Sequence, residues 1–518
     1  MGAGEIRLVA HGIQDMFLTE DPQITYFKII YRRHTNFSVE QMPQYFIHKP
    51  DFGKRATCIV SRNGDLLGKG YLVIDTPKIK KFMIDGIEDP ITKFAWVRRL
   101  GYAMIKFIEI EIGGQLIDKN FGEWMSIWND LTHRKLEGFD KMIGDIPELY
   151  DFTNGKESYR IYVPLEFWFC KNTASALPLV ALQYSEVKIH LELNDFEECH
   201  IITPTNYIVV EDATVNFEQF EYIEQNIDGE IASGIFTHFD NYNKRLYYKR
   251  ISRNKFQSIN SSIYGENVSN QKLVNDAIFD PINDKYFIRG LKTKNYCMPK
   301  IDTNVVTYSY NKLRNISIQN CFLIFNYIFL DDEERNNFVQ SKHEYLIEQT
   351  NIFDEKTIES SNRSVPIDVN HPTRLFVWIV QYSYLLDKFN NDRFNYTDSY
   401  KYLDNKQIGN SIVINETLSF NGQERISNRS YKYFNYIQPY QHMITRPSEG
   451  VNMYSFAIDP AKYQPSGSSN MSQIDLTQID LRLNKNVSAA NSVKFRGYAL
   501  SNNILRISDG IAGIVFIN

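Results

Sequence analysis

Ile108, Ile110 and Ile112 alternate with Glu109 and Glu111 in the stretch FIEIEIGGQLID. A period of two puts the isoleucines on one face and the glutamates on the other, so this segment is predicted to be a strand with a buried side and a solvent side. Gly113-Gly114 then predicts a hairpin turn. In EVKIHLELN, Val187, Ile189, Leu191 and Leu193 share a face opposite Lys188, His190 and Glu192. Asn63-Gly64, in SRNGDLLGKGYLVID, predicts another hairpin. RLFVWIVQYSYLL, residues 374–386, is almost continuously apolar, as a strand covered on both faces would be. One helix stands out. Asp331 precedes it, Glu334 lies three residues on, and acids fill its first turn, which together predict a capping box and a favourable dipole. It follows the strand CFLIFNYIFL directly and is expected to connect two domains.

The same succession of patterns occurs twice. The first copy runs IEIGGQLIDKNFGEW, then VPLEFWFCKNTASALPLVALQYSEVKIHLELN (163–194), then FLIFNYIFLDD. The second runs LSFNGQERISNRSYKYF, then YSFAIDPAKYQPSGSSNMSQIDLTQIDLRLN (454–484), then VKFRGYALSNNILRI. Each has a strand ending in a Gly-Gln turn, then an aromatic strand broken by a Pro/Ser/Gly loop. An alternating strand ending in Leu-Asn and a last aromatic strand follow. Three ordered matches predict a duplicated unit. In the second copy Ile474 and Leu476 are out of phase with Ile479, Leu481 and Leu483, which predicts a bulge near Thr477 and Gln478. Residues 196–315 lengthen the first copy with a weakly periodic segment rich in Asn, Tyr and Lys. A structureless loop of that length is unusual in a compact domain. An insertion with secondary structure of its own, projecting from the first unit, is therefore expected. Each unit reads as an antiparallel sandwich of about eight strands with long loops at one end, which fits a jelly roll.

Composition narrows the picture. A chain of 518 residues is too long for one core and suits two or three all-β domains. The 33 Tyr and 34 Phe favour pleated, half-buried surfaces. A net charge of −5 argues against holding a genome by its phosphates, so no specific nucleic-acid partner is expected. Cys58, Cys170, Cys199, Cys297 and Cys321 form no CxxC pair and read as buried apolar thiols in a reducing compartment. The start, MGAGEIRLVAHGIQD, lacks the apolar stretch of a signal peptide. Ile6 stands where a myristoylation motif needs Ser or Thr. No run approaches the 18 apolar residues of a membrane span. Sequons begin at Asn267, Asn395 and Asn415, and routine glycosylation is not expected at them.

The stretch LVAHGIQDMFLTEDPQITYFKIIYRRHTNF, residues 8–37, closely resembles the start of the major capsid proteins of nucleocytoplasmic large DNA viruses. VSRNGDL, EIGGQLIDK, VPLEFWF, ALPLVALQYSEVKI, NYIFLDDEER, HEYLIEQ, YSFAIDPAKYQPSGSSN and LRISDGIAGIVF are similar too, in the same order and across both halves. The resemblance implies an all-β double jelly roll of two eight-stranded antiparallel barrels. Its expected divisions are an N-terminal arm (1–24), a first jelly roll (25–331) carrying the insertion, a connector helix (332–343) and a second jelly roll (344–518). It implies a structural protein and not an enzyme. Three chains would form a pseudo-hexagonal homotrimeric capsomer, and capsomers would tile the icosahedral shell of a large double-stranded DNA virus. Implied partners are neighbouring capsomers, minor capsid proteins and an internal membrane surface. The implied location is the virion capsid, after synthesis in the host cytoplasm. Lys28, Arg32 and Arg33 fall in the region that the family turns toward the particle interior, and become candidate inner-face contacts. The chain departs from the family at Glu20, where a Gly is common, and in the length of 196–315.

The residues themselves offer little chemistry. Glu109 and Glu111 have the types of a glycosidase pair, but solvent-facing acids opposite a core face explain them. His343 and Glu344 lack a second His at metal spacing. GDLLGKG lacks the Ser or Thr and the spacing of a phosphate loop, and SNMSQID is no nucleophile elbow. No catalytic, cofactor or metal site is expected. NKRLYYKRISRNK, residues 243–255, interleaves basic and aromatic residues as a single-strand binder does, and its ordinary reading is a solvated loop or a trimer contact. A two-domain carbohydrate-binding or carbohydrate-cleaving sandwich is the alternative from another class.

Overall fold

The computed structural model describes residues 2–10, 12–29, 31–133, 138–258, 286–309, 313, 315–388, 390–403 and 406–516. Eight strands of the first half make two facing sheets. They are β1 (Phe37–Gln44), β2 (Arg55–Ile59), β3 (Leu66–Asp75), β4 (Ile105–Ile112), β5 (Gln115–Phe121), β6 (Arg160–Pro164), β7 (Val187–Leu193) and β8 (Asn320–Leu330). One sheet has the order β1-β8-β3-β6 and the other β2-β7-β4-β5, all antiparallel. The second half supplies β9 (His343–Ile352), β10 (Asn362–Ile367), β11 (Pro372–Tyr382), β12 (Val413–Phe420), β13 (Gln423–Ser430), β14 (Val451–Ser455), β15 (Thr477–Leu483) and β16 (Val493–Ser508). Its sheets run β9-β16-β11-β14 and β10-β15-β12-β13. Adding eight to each label of the first barrel gives the second. Both are jelly rolls, and the repeat in the sequence is a repeat of topology.

Alternation sets each core. Ile108, Ile110 and Ile112 of β4 meet Ile189 and Leu191 of β7, with Leu323 and Phe325 of β8 from the facing sheet. The second core gathers Phe376, Trp378, Val380, Leu418, Ile479 and Leu481. Each such side chain contributes about 1.5–3 kcal/mol by leaving water. The β4–β5 turn puts Gly113 at φ +59° and Gly114 at +86°, and its counterpart between β12 and β13 puts Asn421 at +48° and Gly422 at +78°. Two successive positive φ values are what a two-residue hairpin of this hand requires, which is why Gly and Asn stand there.

Among the helices of the described residues, five matter most to the frame. α1 (Ala3–Val9) and α2 (Ile13–Thr19) lie in the arm and bury nothing. Glu20 after α2 is extended at φ −77°, and the positive φ falls on Asp21, so the missing Gly is not needed at that position. α3 (Gly122–Thr132) follows β5. α4 (Asp332–Gln340) links the barrels, and the Asp331 carboxylate accepts the Glu333 N–H at 3.1 Å. It ends three residues before the expected 343 because His343 already pairs with Ile507. Arg335 folds back so that its Nε donates to Asp65 Oδ1 at 2.9 Å. α5 (Gln438–His442), continuing a π turn at Tyr433–Ile437, follows β13 as α3 follows β5.

Several expectations fail locally. Asn63-Gly64 makes no hairpin: β2 pairs β7 and β3 pairs β8, so the link crosses between sheets. Gly64 serves there for space, since a Cβ would stand 3.1 Å from the Tyr327 side chain. No bulge forms at Thr477 and Gln478. β15 begins at Thr477, and Ile474 and Leu476 precede it after a 3-10 turn at Met471–Gln473. The irregularity of this pairing lies in β12, between Val413 and Asn415. The 196–315 segment does carry its own structure, a seven-stranded antiparallel sheet around Ile208, Ile223, Leu246, Tyr248, Ile288 and Cys297. It does not simply project. Asn391 Nδ2 of the second half donates to Glu197 O and His200 O at 2.8 and 2.7 Å, and Asn390 Nδ2 donates to Ile251 O at 2.9 Å.

Candidate assembly surface

The surface that joins the barrels is built from α3. Trp124, Ile127, Trp128 and Leu131 recur at i, i+3, i+4 and i+7, which gives the helix one apolar face. That face covers the outer side of the second barrel, over Leu375, Val377, Ile379, Val451, Met453, Tyr498 and Leu500. The Trp124 and Tyr498 rings stand 5.4 Å apart. β11 is therefore buried on both sides, as its unbroken apolar run required. The helix enters at Gly122, where a Cβ would lie 2.1 Å from Tyr102 O.

Charged groups are buried in the same contact. Arg496 donates to both oxygens of Glu123 at 2.8 and 3.0 Å, and the Tyr498 hydroxyl donates to Glu123 at 2.8 Å. Burial raises the Glu123 carboxyl, but Arg496 outweighs it and holds the group below its ordinary range. Glu348 of β9 meets Lys171 at 2.7 Å and the buried Arg374 at 2.6 Å. Burial there is again outweighed, and the carboxyl falls to about 2. β5 lies along β9: Asp118 Oδ1 accepts the Thr350 N–H at 3.0 Å, and Gln349 Nε2 donates to Ile117 O at 2.6 Å. The C-terminal hairpin reaches back too. Ala512 N donates to Ser185 Oγ at 3.2 Å, Tyr184 N to Gly510 O at 2.9 Å, and Ile514 N to Gln115 Oε1 at 3.0 Å.

Lys28, Arg32 and Arg33 lie on the exposed lead into β1, interleaved with exposed Phe27, Ile29 and Tyr31. Glu109 is not solvent-facing. It is buried between Arg55 and Lys119, while Glu111 meets His190 Nε2 at 3.1 Å. The basic and aromatic stretch 243–255 is neither a solvated loop nor a stacking surface. Arg245–Arg250 is a strand of the insertion with Tyr247 and Tyr248 buried, and burial lowers the Lys249 amine to about 8. All five cysteines are free and buried. Asn395 is buried, and Asn267 lies outside the described residues. Among the described residues no group of three or more His, Cys, Asp and Glu is placed to hold a metal ion. No described helix is long and apolar enough to cross a membrane. The α3 contact went unread in the sequence, although the spacing of Trp124, Ile127, Trp128 and Leu131 carries its signal.

Two jelly rolls of one strand order in a single chain define a double jelly-roll protein. The chain belongs to the major capsid proteins of large eukaryotic DNA viruses. Residues 25–228 match the family model for the major capsid protein N-terminus, and residues 334–513 match that for the large eukaryotic DNA virus major capsid protein. The chain is 43% identical to probable capsid protein 4 of Acanthamoeba polyphaga mimivirus over 100% of its own length and 99% of that protein's. It is 30% identical to the major capsid protein of Phaeocystis pouchetii virus over the whole of both. In fold it is similar to the Faustovirus major capsid protein, with TM-score 0.64 and 12% identity over 96% of this chain and 94% of that one. A quasi-atomic model of the PBCV-1 virus capsid gives TM-score 0.60 and 21% identity over 95% and 100%. The protein is thus a structural component of a virion capsid and not an enzyme.

Proposed function

We propose that three copies of this chain close into a pseudo-hexagonal homotrimeric capsomer, and that such capsomers tile the icosahedral shell of a large double-stranded DNA virus. One observation carries this reading: the two barrels have the same strand order and stand side by side. Three chains then present six similar walls, which pack as a hexagon under threefold symmetry alone. The chain divides into the arm 1–24, a first jelly roll 25–331, the connector helix and a second jelly roll running to 518. Synthesis takes place in the host cytoplasm.

The partners follow from position. Neighbouring capsomers meet the barrel walls. Minor capsid proteins and an internal membrane surface meet the arm side, where Lys28, Arg32 and Arg33 offer cations to acidic protein or anionic headgroups. Light scattering of the purified protein tests the trimer, with an expected mass three times the 60.7 kDa of one chain. Electron microscopy of the same sample is expected to show a six-sided outline, and a monomer would overturn the reading. Charge reversal at Arg32 and Arg33 is expected to lower particle yield and leave the trimer intact. Undiminished yield would remove the inner-face role.

A further inference from the structure

The two barrels repeat strand for strand, but their centres differ in chemistry. Glu416 of β12 stands five residues before Asn421 of its hairpin turn, as Ile108 of β4 stands five before Gly113. Glu416 pairs with Leu481 of β15, as Ile108 pairs with Leu191 of β7. Trp378 of β11 lies opposite Asn452 of β14, two residues before Tyr454. The matching pair in the first barrel is Ile74 opposite Ile161, two residues before Val163. Three isoleucines buried to 0% in one core are thus replaced by a glutamate, a tryptophan and an asparagine in the other.

These side chains point into the second barrel. Trp378, Leu418 and Leu481 belong to its core, while Val451 and Met453 on either side of Asn452 turn outward to α3. Glu416 is 1% exposed and Asn452 0%. The Trp378 indole N–H donates to Glu416 Oε2 at 2.5 Å, from one sheet to the other. Glu416 Oε1 and both Nδ2 and Oδ1 of Asn452 have no hydrogen-bond partner among the described residues. Unpaired polar groups at such depth are costly and rare. The first barrel closes the same frame over isoleucine at all three places, so the fold itself does not call for polar groups there.

We propose that the second barrel encloses ordered water at its centre, bridging Glu416 Oε1 to the Asn452 carboxamide. Burial pushes the Glu416 carboxyl up to about 8, so near neutral pH Oε1 carries a proton. Water accepts from that O–H and from Asn452 Nδ2 and donates to Asn452 Oδ1, so one kind of ligand answers all three atoms. A hard metal ion matches less well, because it takes about six or more oxygens and this centre offers one acid and one carboxamide. The bridge runs from β12 in one sheet to β14 in the other, beside the bond from Trp378 to Glu416. It ties the two sheets by a hydrogen-bonded network where the first barrel relies on apolar contact.

A crystal structure of the full-length native protein, fine enough to show ordered water, tests this. A density peak is expected within about 3.2 Å of Glu416 Oε1 and of the Asn452 side chain. Crystals soaked in rubidium or manganese should give no anomalous signal there. A signal would assign the site to a cation and overturn water. Glu416 in direct contact with Asn452, with no peak between them, would overturn it as well. Two variants give an independent readout. Glu416→Gln keeps an acceptor for Trp378 and a donor for water, and should retain the peak. Asn452→Leu should lose it, strand Glu416 Oε1 and lower the thermal unfolding midpoint by several degrees. Were the carboxamide simply unpaired, an apolar side chain of like shape would raise that midpoint instead, and such a rise rules out the bridge.

Discussion

Glu123 and Arg496 lie 373 positions apart in the chain and form a buried bidentate ion pair at 2.8 and 3.0 Å. One belongs to the helix leaving the first barrel and the other to the last long strand of the second. Removing one member leaves a buried charge without its partner, at a cost of about 3–5 kcal/mol. Glu123→Ala is therefore expected to lower the calorimetric unfolding temperature by several degrees. Replacing both residues, as Glu123→Leu with Arg496→Met, should cost less than either single change.

Glu348 gives the contact an acid limit. Its carboxyl is held at about 2 in the folded chain, against about 4.3 unfolded. A depressed carboxyl contributes stability in full above the unfolded value and loses it as pH falls toward the folded one. Urea midpoints are expected to drop between pH 4.3 and 2, and Glu348→Gln should flatten that slope.

Glu416 acts in the opposite sense. It is buried inside the second barrel with the Trp378 indole N–H donating to it, and burial pushes its carboxyl up to about 8. The folded chain keeps a proton that the unfolded chain releases, so stability falls as pH rises from about 4.3 to about 8. Glu416→Gln keeps an acceptor for Trp378. Its unfolding temperature relative to the native protein should climb from pH 5 to pH 8.

Gly122 is a steric hinge point. Its missing Cβ is what allows the chain to pass Tyr102 O. Gly122→Ala is expected to cost at least about 1–3 kcal/mol by shifting α3 off the second barrel. Denaturant titration followed by tryptophan fluorescence would report it, because Trp124 and Trp128 sit on that helix.

Burial also pushes the thiols of Cys58, Cys170, Cys199, Cys297 and Cys321 upward, to about 11 for Cys58 and about 12 for Cys199. Thiolate is the reacting form, so a disulfide reagent should label none of them rapidly in the native chain. All five should react after unfolding in guanidinium.

The duplication was legible because strand period and turn chemistry are local. Ile108 to Ile112, the Gly113-Gly114 turn and its Asn421-Gly422 counterpart announce themselves within a dozen residues. Asn63-Gly64 misled for the same reason. Its dipeptide fits a hairpin, yet β2 and β3 find better partners in different sheets. The change of phase at Thr477 marks the start of β15 and not a bulge, since hydrophobicity alone does not tell a turn residue from a strand residue. Alternation puts Glu109 opposite the core face but does not say that Arg55 and Lys119 cover it there.

What the sequence alone determined was the unit: its strands, its hairpins, its repetition and, through collinear motifs, its family. Those follow from each residue's own preferences and from its neighbours along the chain. Only the tertiary structure decided how the units meet. It laid Trp124 on Tyr498, closed Glu123 onto Arg496 and tied the insertion to Asn390 and Asn391. Such pairings join positions far apart in the chain, and the free energy that selects them exists only once both surfaces have formed.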